Sequence, residues 1–570
     1  MGRTPRFTEH LTQAVPIEST YMNNTKKRNS GYALIMALLM IVVVAGYVLT
    51  LHTLAASGMR SSEFNAKKVV TNYLVEGGLE GAQKAMQRAL ADYQSVPSTV
   101  TYTINGTPVY VTVQQAGLQR VETDTAGVRT IIQPYLITAT ATYQGTVSTM
   151  DRVVDAGLTP IFQFAVFYTN DLEMLPGANL TITGRIHTNG NMYVGSHALF
   201  TLNSDYVHAV GSLYQRRKDD GSLLTDGSVR ALIAGTTNTF YTFEQKAALA
   251  SMGIPSVSGF DSAFRGYDIN GDGLYTQPGE MAGWATRSQT LWNGTVKTGE
   301  NGLTEVVAPT VQTIEPYMDG TSTKAYYHAN AGLVIHGTRA YVGSTDVTAS
   351  LPSGTISQKT MYNGREKKTI TVTEVDVAKL NGTSYFPSNG LLYAFRDDST
   401  PSTPNGIRLK NASTLKAGLT VVSPDPVYTL GDYNSVNKKP AAIMTDAMNI
   451  LSNAWNDTKT AGTLPVATTT TVNAAFITGN TTTTPGAYNG GLENLPRFHE
   501  NWTNVSCNIR GSFVNTFCSD VAMGKWVYGG DNYTAPIRNW DYDTNFNNFN
   551  NLPPYTPYVV IITRVVQTNR

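Results

Sequence analysis

The sequence predicts an α+β protein in which a long N-terminal helix with a small antiparallel sheet precedes a large, mainly β region. An uncharged apolar run at residues 32–54 and an amphipathic segment behind it predict the helix. Beyond residue 95, short alternating apolar runs are broken by Gly, Asn and Pro, which indicates strands and turns. Because 570 residues exceed the usual domain size of roughly 100 to 200, more than one core is expected.

The apolar run at residues 32–54 is long enough to cross a membrane. At about 1.5 Å per residue, a helix of this length spans a hydrocarbon core of roughly 30 Å. The basic cluster KKR at residues 26–28 precedes it, and basic flanks stay on the cytoplasmic side. We therefore predict a single transmembrane helix at 32–58, with everything after Arg60 outside the cytoplasm. A cleaved secretory signal is the alternative, since residues 55–57, AAS, are small.

The residues around the start of this helix resemble the type III signal of prepilins. In that family a peptidase cuts after a glycine that separates a basic leader from an apolar helix, which here means between Gly31 and Tyr32. The resemblance implies a leader at 1–31, or one that starts at Met22, and a prepilin peptidase as partner. At the fifth mature position, Met36 replaces the glutamate that in this family neutralises the N-terminal ammonium of a neighbouring subunit. This departure implies a tip or priming position, with a membrane protein outside any filament as the alternative.

The segment after the membrane helix resembles the N-terminal family of PilX-like minor pilins. Residues 72–86, NYLVEGGLEGAQKAM, are similar to its alanine- and glutamate-rich segment. We expect an amphipathic helix that the pair Gly77-Gly78 loosens. Asn105-Gly106 predicts a β-hairpin, so residues 59–160 are expected to form a pilin-like α+β module. The predicted inner face of the helix comprises Val69, Tyr73, Leu79, Ala82, Met86 and Leu90.

Residues 161–480 are predicted to form an irregular β-solenoid, with an insertion at 204–326. Short β-prone pieces separated by Gly-Asn turns recur about every ten residues after residue 164, a spacing that also leaves a β-sandwich open. The run PAAIMTDAMNILSNAW at 440–455 predicts an interrupting helix. Comparable β-prone pieces return at 331–343, 389–395, 406–433 and 471–479.

The C-terminal segment, residues 481–570, is rich in Trp, Arg and Asn. Its succession ENW, RGS, RNW, YDTNF and LPP resembles the C-terminal end of large PilX-like bacterial surface proteins. We interpret its aromatic and basic residues as folding determinants, with Arg planes stacked on aromatic faces; ligand binding is the alternative. The residues concerned are Trp502, Arg510, Arg538, Trp540 and Asp541.

The sharpest candidate site is DINGDGLYTQPGE, which begins at residue 268. Side-chain oxygens at alternate positions followed by glycine are arranged as in loops that turn towards one Ca²⁺. The closing glutamate is the thirteenth residue and not the twelfth, which departs from the EF-hand. The motif resembles free-standing calcium loops of secreted bacterial proteins and implies a structural calcium, against a plain Asp/Asn-Gly turn. The candidate ligands are Asp268, Asn270, Asp272, Leu274 through its carbonyl, and Glu280.

Other chemistry is sparse. Cys507 and Cys518 predict a small disulfide loop in an oxidising compartment, with two buried thiols as the alternative. Neither GxSxG nor a P-loop pattern occurs. A formal charge of +1 removes a global electrostatic case for nucleic-acid binding. No short ligand spacing connects the histidines His187, His197, His208, His328, His336 and His499.

These features favour a minor pilin-like structural subunit of a type IV pilus or related secretion or uptake filament, and not an enzyme. Its bulk would clash along a densely packed shaft, so a tip position with a β region for assembly, adhesion or DNA uptake is expected. The implied partners are other pilins, the inner membrane before assembly, and DNA or a surface ligand afterwards at the periplasm or cell surface. The alternative is a membrane-anchored carbohydrate-active enzyme or carbohydrate-binding surface protein, which a cleft with paired carboxylates would favour.

Overall fold

The computed structural model describes residues 30–124, 128–224, 226–243, 261–262, 266–274, 276–277, 280–315 and 326–570. The predicted leader, including Met22 and the basic cluster 26–28, lies outside these residues except for its last two positions. By its contacts the chain divides into two units, Met1–Thr71 with Tyr143–Thr146, and Asn72–Thr142 with Val147–Arg570. The predicted divisions at residues 160 and 480 stay predictions.

The described residues form a few helices and many short strands. The helices are α1 (Ser30–Ala91), α2 (Trp284–Trp292), α3 (Tyr326–Asn330) and α4 (Val377–Asn381). The first strands are β1 (Thr99–Ile104), β2 (Thr107–Gln115), β3 (Arg120–Thr123), β4 (Arg129–Tyr143) and β5 (Thr146–Pro160). The next are β6 (Val166–Tyr168), β7 (Leu172–Met174), β8 (Leu180–Thr183), β9 (Ile186–Thr188), β10 (Met192–Val194), β11 (Leu199–Asn203), β12 (Val207–Ala209), β13 (Leu213–Tyr214), β14 (Ser228–Leu232), β15 (Phe240–Thr242), β16 (Gly266–Tyr267), β17 (Met281–Ala282) and β18 (Val296–Lys297). The last are β19 (Leu333–His336), β20 (Arg339–Val342), β21 (Thr345–Asp346), β22 (Ile356–Asn363), β23 (Lys368–Asp376), β24 (Leu391–Phe395), β25 (Gly406–Ala412), β26 (Leu419–Ser423), β27 (Val427–Tyr433), β28 (Ala441–Thr445), β29 (Met448–Leu451), β30 (Thr470–Val472), β31 (Ala475–Thr478), β32 (Arg497–Phe498), β33 (Ser506–Gly511), β34 (Phe513–Asn515), β35 (Ile537–Tyr542) and β36 (Tyr558–Asn569).

The first part of helix α1 is apolar and exposed. Its side chains from residue 31 to 66 are all exposed to solvent. Among the described residues, one helix is long and apolar enough to cross a membrane, the stretch Gly31–Ala91 of α1. A single apolar N-terminal helix of this length fits a membrane anchor.

The last turns of α1 carry a buried face that differs in part from the predicted one. Leu79, Ala82 and Met86 are buried as predicted. Val69 and Tyr73 are instead 53% and 71% exposed, so their predicted inward position is wrong. The sequence has apolar residues on more than one face of this part of the helix. A periodicity of 3.6 residues therefore does not decide which of these residues form the buried stripe.

The pair Gly77-Gly78 lies inside the continuous helix α1, and the predicted loosening of the helix stays a prediction. A Cβ at Gly78 would lie 2.5 Å from Cγ1 of Val109, and one at Gly77 would lie 2.9 Å from Cδ1 of Ile104. Glycine therefore lets the β1–β2 hairpin approach the helix axis closely, and this packing offsets the low helix propensity of glycine.

The N-terminal sheet is antiparallel and recruits the far end of the chain. Its order is β1-β2-β4-β5-β36, with β3 paired to β4. The predicted hairpin at Asn105-Gly106 is confirmed, with φ of 48° and 76° at its two turn residues. Strand β36 pairs antiparallel with β5, from Tyr558 opposite Pro160 to Asn569 opposite Met150. The C-terminal strand thus completes the first sheet.

Most strand pairs described after β5 are parallel; the antiparallel ones are β14–β15, β16–β17, β19–β20, β20–β21 and β22–β23. In the stretch from β6 to β14, each strand pairs in parallel with the strand three places further on, so that β6, β9 and β12 stack, as do β7, β10 and β13, and β8, β11 and β14. The twelve-stranded long sheet has the order β18-β12-β9-β6-β34-β31-β28-β26-β24-β19-β20-β21. The predicted α+β class is confirmed, whereas these open sheets do not by themselves establish a solenoid.

The predicted helix at 440–455 is wrong. The segment forms strands β28 and β29, separated by a turn that contains Asp446. Every residue of both strands is buried, because parallel strands are covered on both faces. A continuous apolar run in a buried strand cannot be distinguished from a buried helix by periodicity alone.

Candidate functional site

The predicted processing site lies at the beginning of helix α1. Tyr32 is 78% exposed and Met36 is 66% exposed. A Cβ at Gly31 would meet no other atom within 4 Å. The glycine is thus not required by packing, and its role as a cleavage position stays a prediction.

The predicted calcium loop is held by hydrogen bonds from its own backbone. Asp268 accepts from the amides of Gly271 and Gly273, both at 2.8 Å, through its two carboxylate oxygens. Oδ1 of Asn270 accepts from the amide of Asp272 at 3.0 Å, while its Nδ2 donates to Oδ2 of Asp272 at 2.7 Å. The two glycines have φ of 74° and 75°, which allows the sharp turns.

Glu280 closes this loop through hydrogen bonds from two backbone amides. Its two carboxylate oxygens accept from the amides of Ile269 at 3.0 Å and Gln277 at 2.8 Å. The amide of Leu274 donates to Oδ1 of Asp272 at 2.8 Å, and its carbonyl is the atom predicted as a ligand. Within the described ranges, no three His, Cys, Asp or Glu side chains lie close enough to hold a metal. The oxygen donors fit the chemistry of Ca²⁺, since each can still offer a second lone pair.

The two cysteines are not joined. Cys507 lies on β33 with its thiol buried in the core, and burial raises its pKa to about 12. Cys518 is exposed, and its Sγ lies 3.5 Å from Oγ1 of Thr482. The predicted disulfide is therefore not formed, because the inward side of a parallel strand holds one thiol while a surface turn holds the other. Of the two buried thiols that the alternative prediction expected, only Cys507 is buried.

The histidines that show no ligand spacing in the sequence lie in separate places of the structure. His187 and His208 are opposite each other on β9 and β12, and burial lowers their pKa values to about 4 and about 3. The ring of Phe167 stacks on His187 at 5.2 Å and that of Tyr206 lies 3.6 Å from His208. Neutral histidines of this kind act as core aromatics. His197 and His336 are paired with surface aspartates, and His499 is buried elsewhere.

Of the two arginines expected to stack on aromatic faces in the C-terminal segment, Arg538 does so, whereas Arg510 is held by hydrogen bonds. Trp502 is fully buried. The guanidinium of Arg538 lies 5.4 Å from the ring of Trp540. Arg510 donates to the carbonyl of Asn539 at 2.9 Å, which joins neighbouring strands. Asp541 likewise accepts from the amide of Thr183 at 3.2 Å and so binds β35 to β8.

A buried charge network fixes the turn at residues 519–524. Arg497, 1% exposed, pairs with Glu366, 5% exposed, at 3.0 Å. Arg497 also donates to the carbonyl of Ala522 at 2.7 Å, and Glu366 accepts from the amide of Gly524 at 2.8 Å. A sequence motif could not indicate this pair, because Glu366 and Arg497 are far apart in the chain.

An acidic cleft of about 360 Å³ contains Asp425 and Asp446. Burial raises their pKa values to about 7 and about 6. Asp425 accepts from the amide of Arg396 at 2.7 Å, and Asp446 accepts from the amides of Asp520 and Ala522 at 2.8 Å. The carboxylates thus brace turns through these hydrogen bonds.

A larger groove of about 710 Å³ is lined by aromatic residues that the sequence analysis did not single out. Trp526 and Tyr528 have nearly parallel rings, 24° and 6.3 Å apart. Nε1 of Trp526 donates to the hydroxyl of Tyr533 at 2.6 Å, and that hydroxyl donates to Oδ1 of Asn494. A Cβ at Gly490 would lie 2.7 Å from the indole of Trp526, so this glycine makes room for the ring. The alternation WVYGG in the sequence is the signal that could have indicated it.

Glu493, Arg538 and Arg217 are three charged residues that line the same groove. Glu493 is 4% exposed, and burial raises its pKa to about 7 although Arg538 opposes that shift. Nε of Arg538 donates to the backbone carbonyl of Glu493 at 3.1 Å. Arg217 is also in the groove, but it forms a two-pronged pair with Asp219 at 2.9 and 2.8 Å. Its charge is therefore already compensated.

No family model and no curated protein matches the chain. Among solved structures, the chain is similar to the crystal structure of the competence-associated pilin ComZ from Thermus thermophilus, with 11% identity and coverage of 88% of this chain and 97% of that chain. The TM-score is 0.27, which does not establish a shared fold. The function of this chain is therefore inferred from its own residues.

Proposed function

We propose that the chain is a pilin-like structural subunit of a type IV pilus or a related secretion or uptake filament. The observation that carries this proposal is helix α1, whose apolar stretch from residue 31 onwards is exposed over more than a membrane thickness. Its later turns pack on an antiparallel sheet, as in a pilin-like α+β module. The subunit is anchored in the inner membrane with its N-terminus in the cytoplasm before assembly, and other pilins are its partners.

Within such a filament we place the subunit at the tip. A processed chain would begin at Tyr32 and carry an N-terminal ammonium, while Met36 offers no carboxylate to the ammonium of a neighbour. An uncompensated charge is costly in an apolar bundle, so another subunit gains little from docking beneath this one. The large β region then extends outwards for assembly or adhesion. DNA uptake stays a hypothesis, because a formal charge of +1 provides no general attraction for phosphate.

We also propose that the parallel strands from β6 onwards are the coils of an irregular β-solenoid. The support is the repeated pairing of each strand with the strand three places on, which is the arrangement of three stacked faces. The long sheet places β6 between β9 and β34. This order is expected if the chain first adds coils on one side of β6, as far as β18. It would then continue with β19 near the opposite end of the sheet and add coils back towards β6, as far as β34. The antiparallel strands β15, β20 and β21 lie at sheet ends, where they would protect exposed edges.

The processing site gives the first test of the proposed function. Replacing Gly31 by leucine is expected to keep the leader on the chain, because the peptidase requires a small residue before the cut. The matched control is Gly46→Leu, since Gly46 also meets no atom within 4 Å but lies inside the helix. Immunoblots of cell membranes should show a heavier species for the first variant alone. Equal mobility of both variants and the parent would contradict the proposal.

We propose that the loop from Asp268 to Glu280 binds a structural calcium ion. Its exposed oxygen donors and open turn support a weak site, with a Kd of roughly 10⁻⁴ to 10⁻³ M as in extracellular modules. Calorimetric titration of the full chain in detergent should detect this binding, and Asp268→Asn should abolish it. Asp220→Asn is the control, because Asp220 is an exposed turn aspartate with a similar bond to the amide of Ser222 at 2.8 Å. Calcium heat that survives in Asp268→Asn would reject the site.

A carbohydrate-active enzyme is the second function that the sequence left open. The paired carboxylates that would favour it, Asp425 and Asp446, are occupied by backbone amides. The aromatic groove beside Tyr528 favours the binding form of that alternative, which is compatible with an adhesive tip.

A further inference from the structure

The aromatic groove defined by Trp526, Tyr528 and Tyr533 has no part in the anchoring, processing or assembly proposed above. Tyr528 is 56% exposed at its rim, so part of its ring is accessible to a ligand in the groove. A saccharide ring has an apolar C–H face and polar hydroxyls at its edge. A flat aromatic face beside polar side chains therefore matches it on both counts.

The rings of this groove are held before any ligand arrives. The chain of hydrogen bonds from Trp526 to Tyr533 and on to Asn494 fixes two of them, and Nδ2 of Asn494 donates in turn to the carbonyl of Gly490 at 2.7 Å. Tyr528 packs edge-on against Tyr533 at 5.6 Å. A site whose side chains are already ordered loses little conformational entropy on binding, so the same contacts yield a higher affinity.

The charges of the groove specify the ligand further. In the described part of the chain, the terminal nitrogens Nη1 and Nη2 of Arg538 make no hydrogen bond; its Nε bond to Glu493 and its stacking on Trp540 orient the guanidinium. A guanidinium with two parallel donors recognises a carboxylate by two hydrogen bonds. One side-chain oxygen of Glu493 is buried without a hydrogen-bond partner. This carboxyl disfavours a doubly charged group such as phosphate, and when protonated it can donate to a hydroxyl.

We propose that this groove binds an acidic saccharide, with a sugar ring on Tyr528 and its carboxylate on Arg538. The volume of about 710 Å³ is within the range of roughly 300 to 1,000 Å³ of small-ligand pockets and fits a short oligosaccharide. A peptide with a free C-terminal carboxylate could bind Arg538 in the same way. Its side chain would need a deep pocket, however, whereas the open rim of the groove offers a flat aromatic face. The inference deepens the proposed adhesive function by giving its ligand class.

The test is calorimetric titration of the full chain in a detergent without a sugar head group. The probes are tetragalacturonate, a glucuronate-containing tetrasaccharide and a sialylated tetrasaccharide, compared with neutral cellotetraose and the peptide tetra-alanine. At least one acidic saccharide is expected to bind tenfold or more tightly than cellotetraose. Tyr528→Ala should weaken that binding at least tenfold, and Arg538→Gln should remove the preference for acid. Arg538→Lys should restore it only in part, because lysine keeps the charge but lacks the two-pronged geometry.

Two surface variants serve as matched controls. Tyr110→Ala removes a tyrosine that is 61% exposed on β2, and Arg339→Gln removes an arginine from an exposed pair with Asp346. Both should bind like the parent. The proposal is overturned if no acidic saccharide binds, if cellotetraose or tetra-alanine binds as tightly, or if the controls weaken binding as much as Tyr528→Ala. Since the titration needs neither leader cleavage nor filament assembly, its failure is distinct from failure of the pilin proposal.

Discussion

Replacing Gly511 by alanine is expected to destabilise the β region by about 3 kcal/mol or more. A Cβ at this position would overlap the carbonyl oxygen of Ala474 and lie 2.5 Å from its carbonyl carbon. These atoms belong to the backbone, so they cannot yield by a change of rotamer. The strand β33 would have to separate from its neighbours, and the spacing of parallel strands is fixed by their hydrogen bonds. Thermal unfolding of the full chain in detergent would measure the loss.

The control for this substitution is Gly462→Ala. No atom lies within 4 Å of a Cβ at Gly462, and its backbone does not require positive φ. Its unfolding midpoint should stay close to that of the parent. Equal midpoints for Gly511→Ala and the parent would show that the strands are not stacked as closely as described, and would weaken the solenoid proposal too.

The second large effect is expected from Arg497→Ala, which leaves the Glu366 carboxylate buried without its partner. Breaking a buried ion pair from one side typically costs about 3 to 5 kcal/mol, because the remaining charge keeps its desolvation penalty. The turn at 519–524 would also lose the bond to the carbonyl of Ala522. Trypsin cleavage after the exposed Lys525 should therefore become much faster, in addition to a lower unfolding midpoint.

Arg339→Ala is the matched control for this pair. Its ion pair with Asp346 has an N–O distance of 3.4 Å and is exposed, and such pairs contribute little to stability. Unchanged midpoint and cleavage rate are expected. If Arg497→Ala behaves in the same way, the buried network does not hold the turn. Arg497→Lys, which keeps the charge but not the fork, should lie between the two.

The parts of the fold that depend on neighbouring residues could be predicted from the sequence. The long apolar run specifies α1, and Asn105-Gly106 specifies the first hairpin, since both depend on local spacing and turn geometry. The pairing of β36 with β5 could not be predicted, because it joins segments at the two ends of the β region. The helix expected at 440–455 is wrong because burial on both faces of the sheet, which depends on distant residues, overrides the local helix preference of the segment.

The candidate sites also differ in this way: those formed by neighbouring residues could be predicted, and those formed by distant segments could not. The loop from Asp268 to Glu280 was found because its residues are contiguous, but its closure by backbone amides depends on side-chain geometry. The groove was missed, since Glu493, Trp526 and Arg538 come from three separate segments. The disulfide failed because closeness in sequence does not decide which side of a strand a thiol occupies.

The measurement that tests the central claim most directly is N-terminal mass spectrometry of the protein purified from cell membranes. The pilin proposal predicts a chain that begins at Tyr32 with a methylated amino group. Cleavage after Gly31 separates the leader from an otherwise intact helix α1. A chain that retains Met1 or Met22, or one cleaved near Ser57, would contradict entry into the pilin pathway.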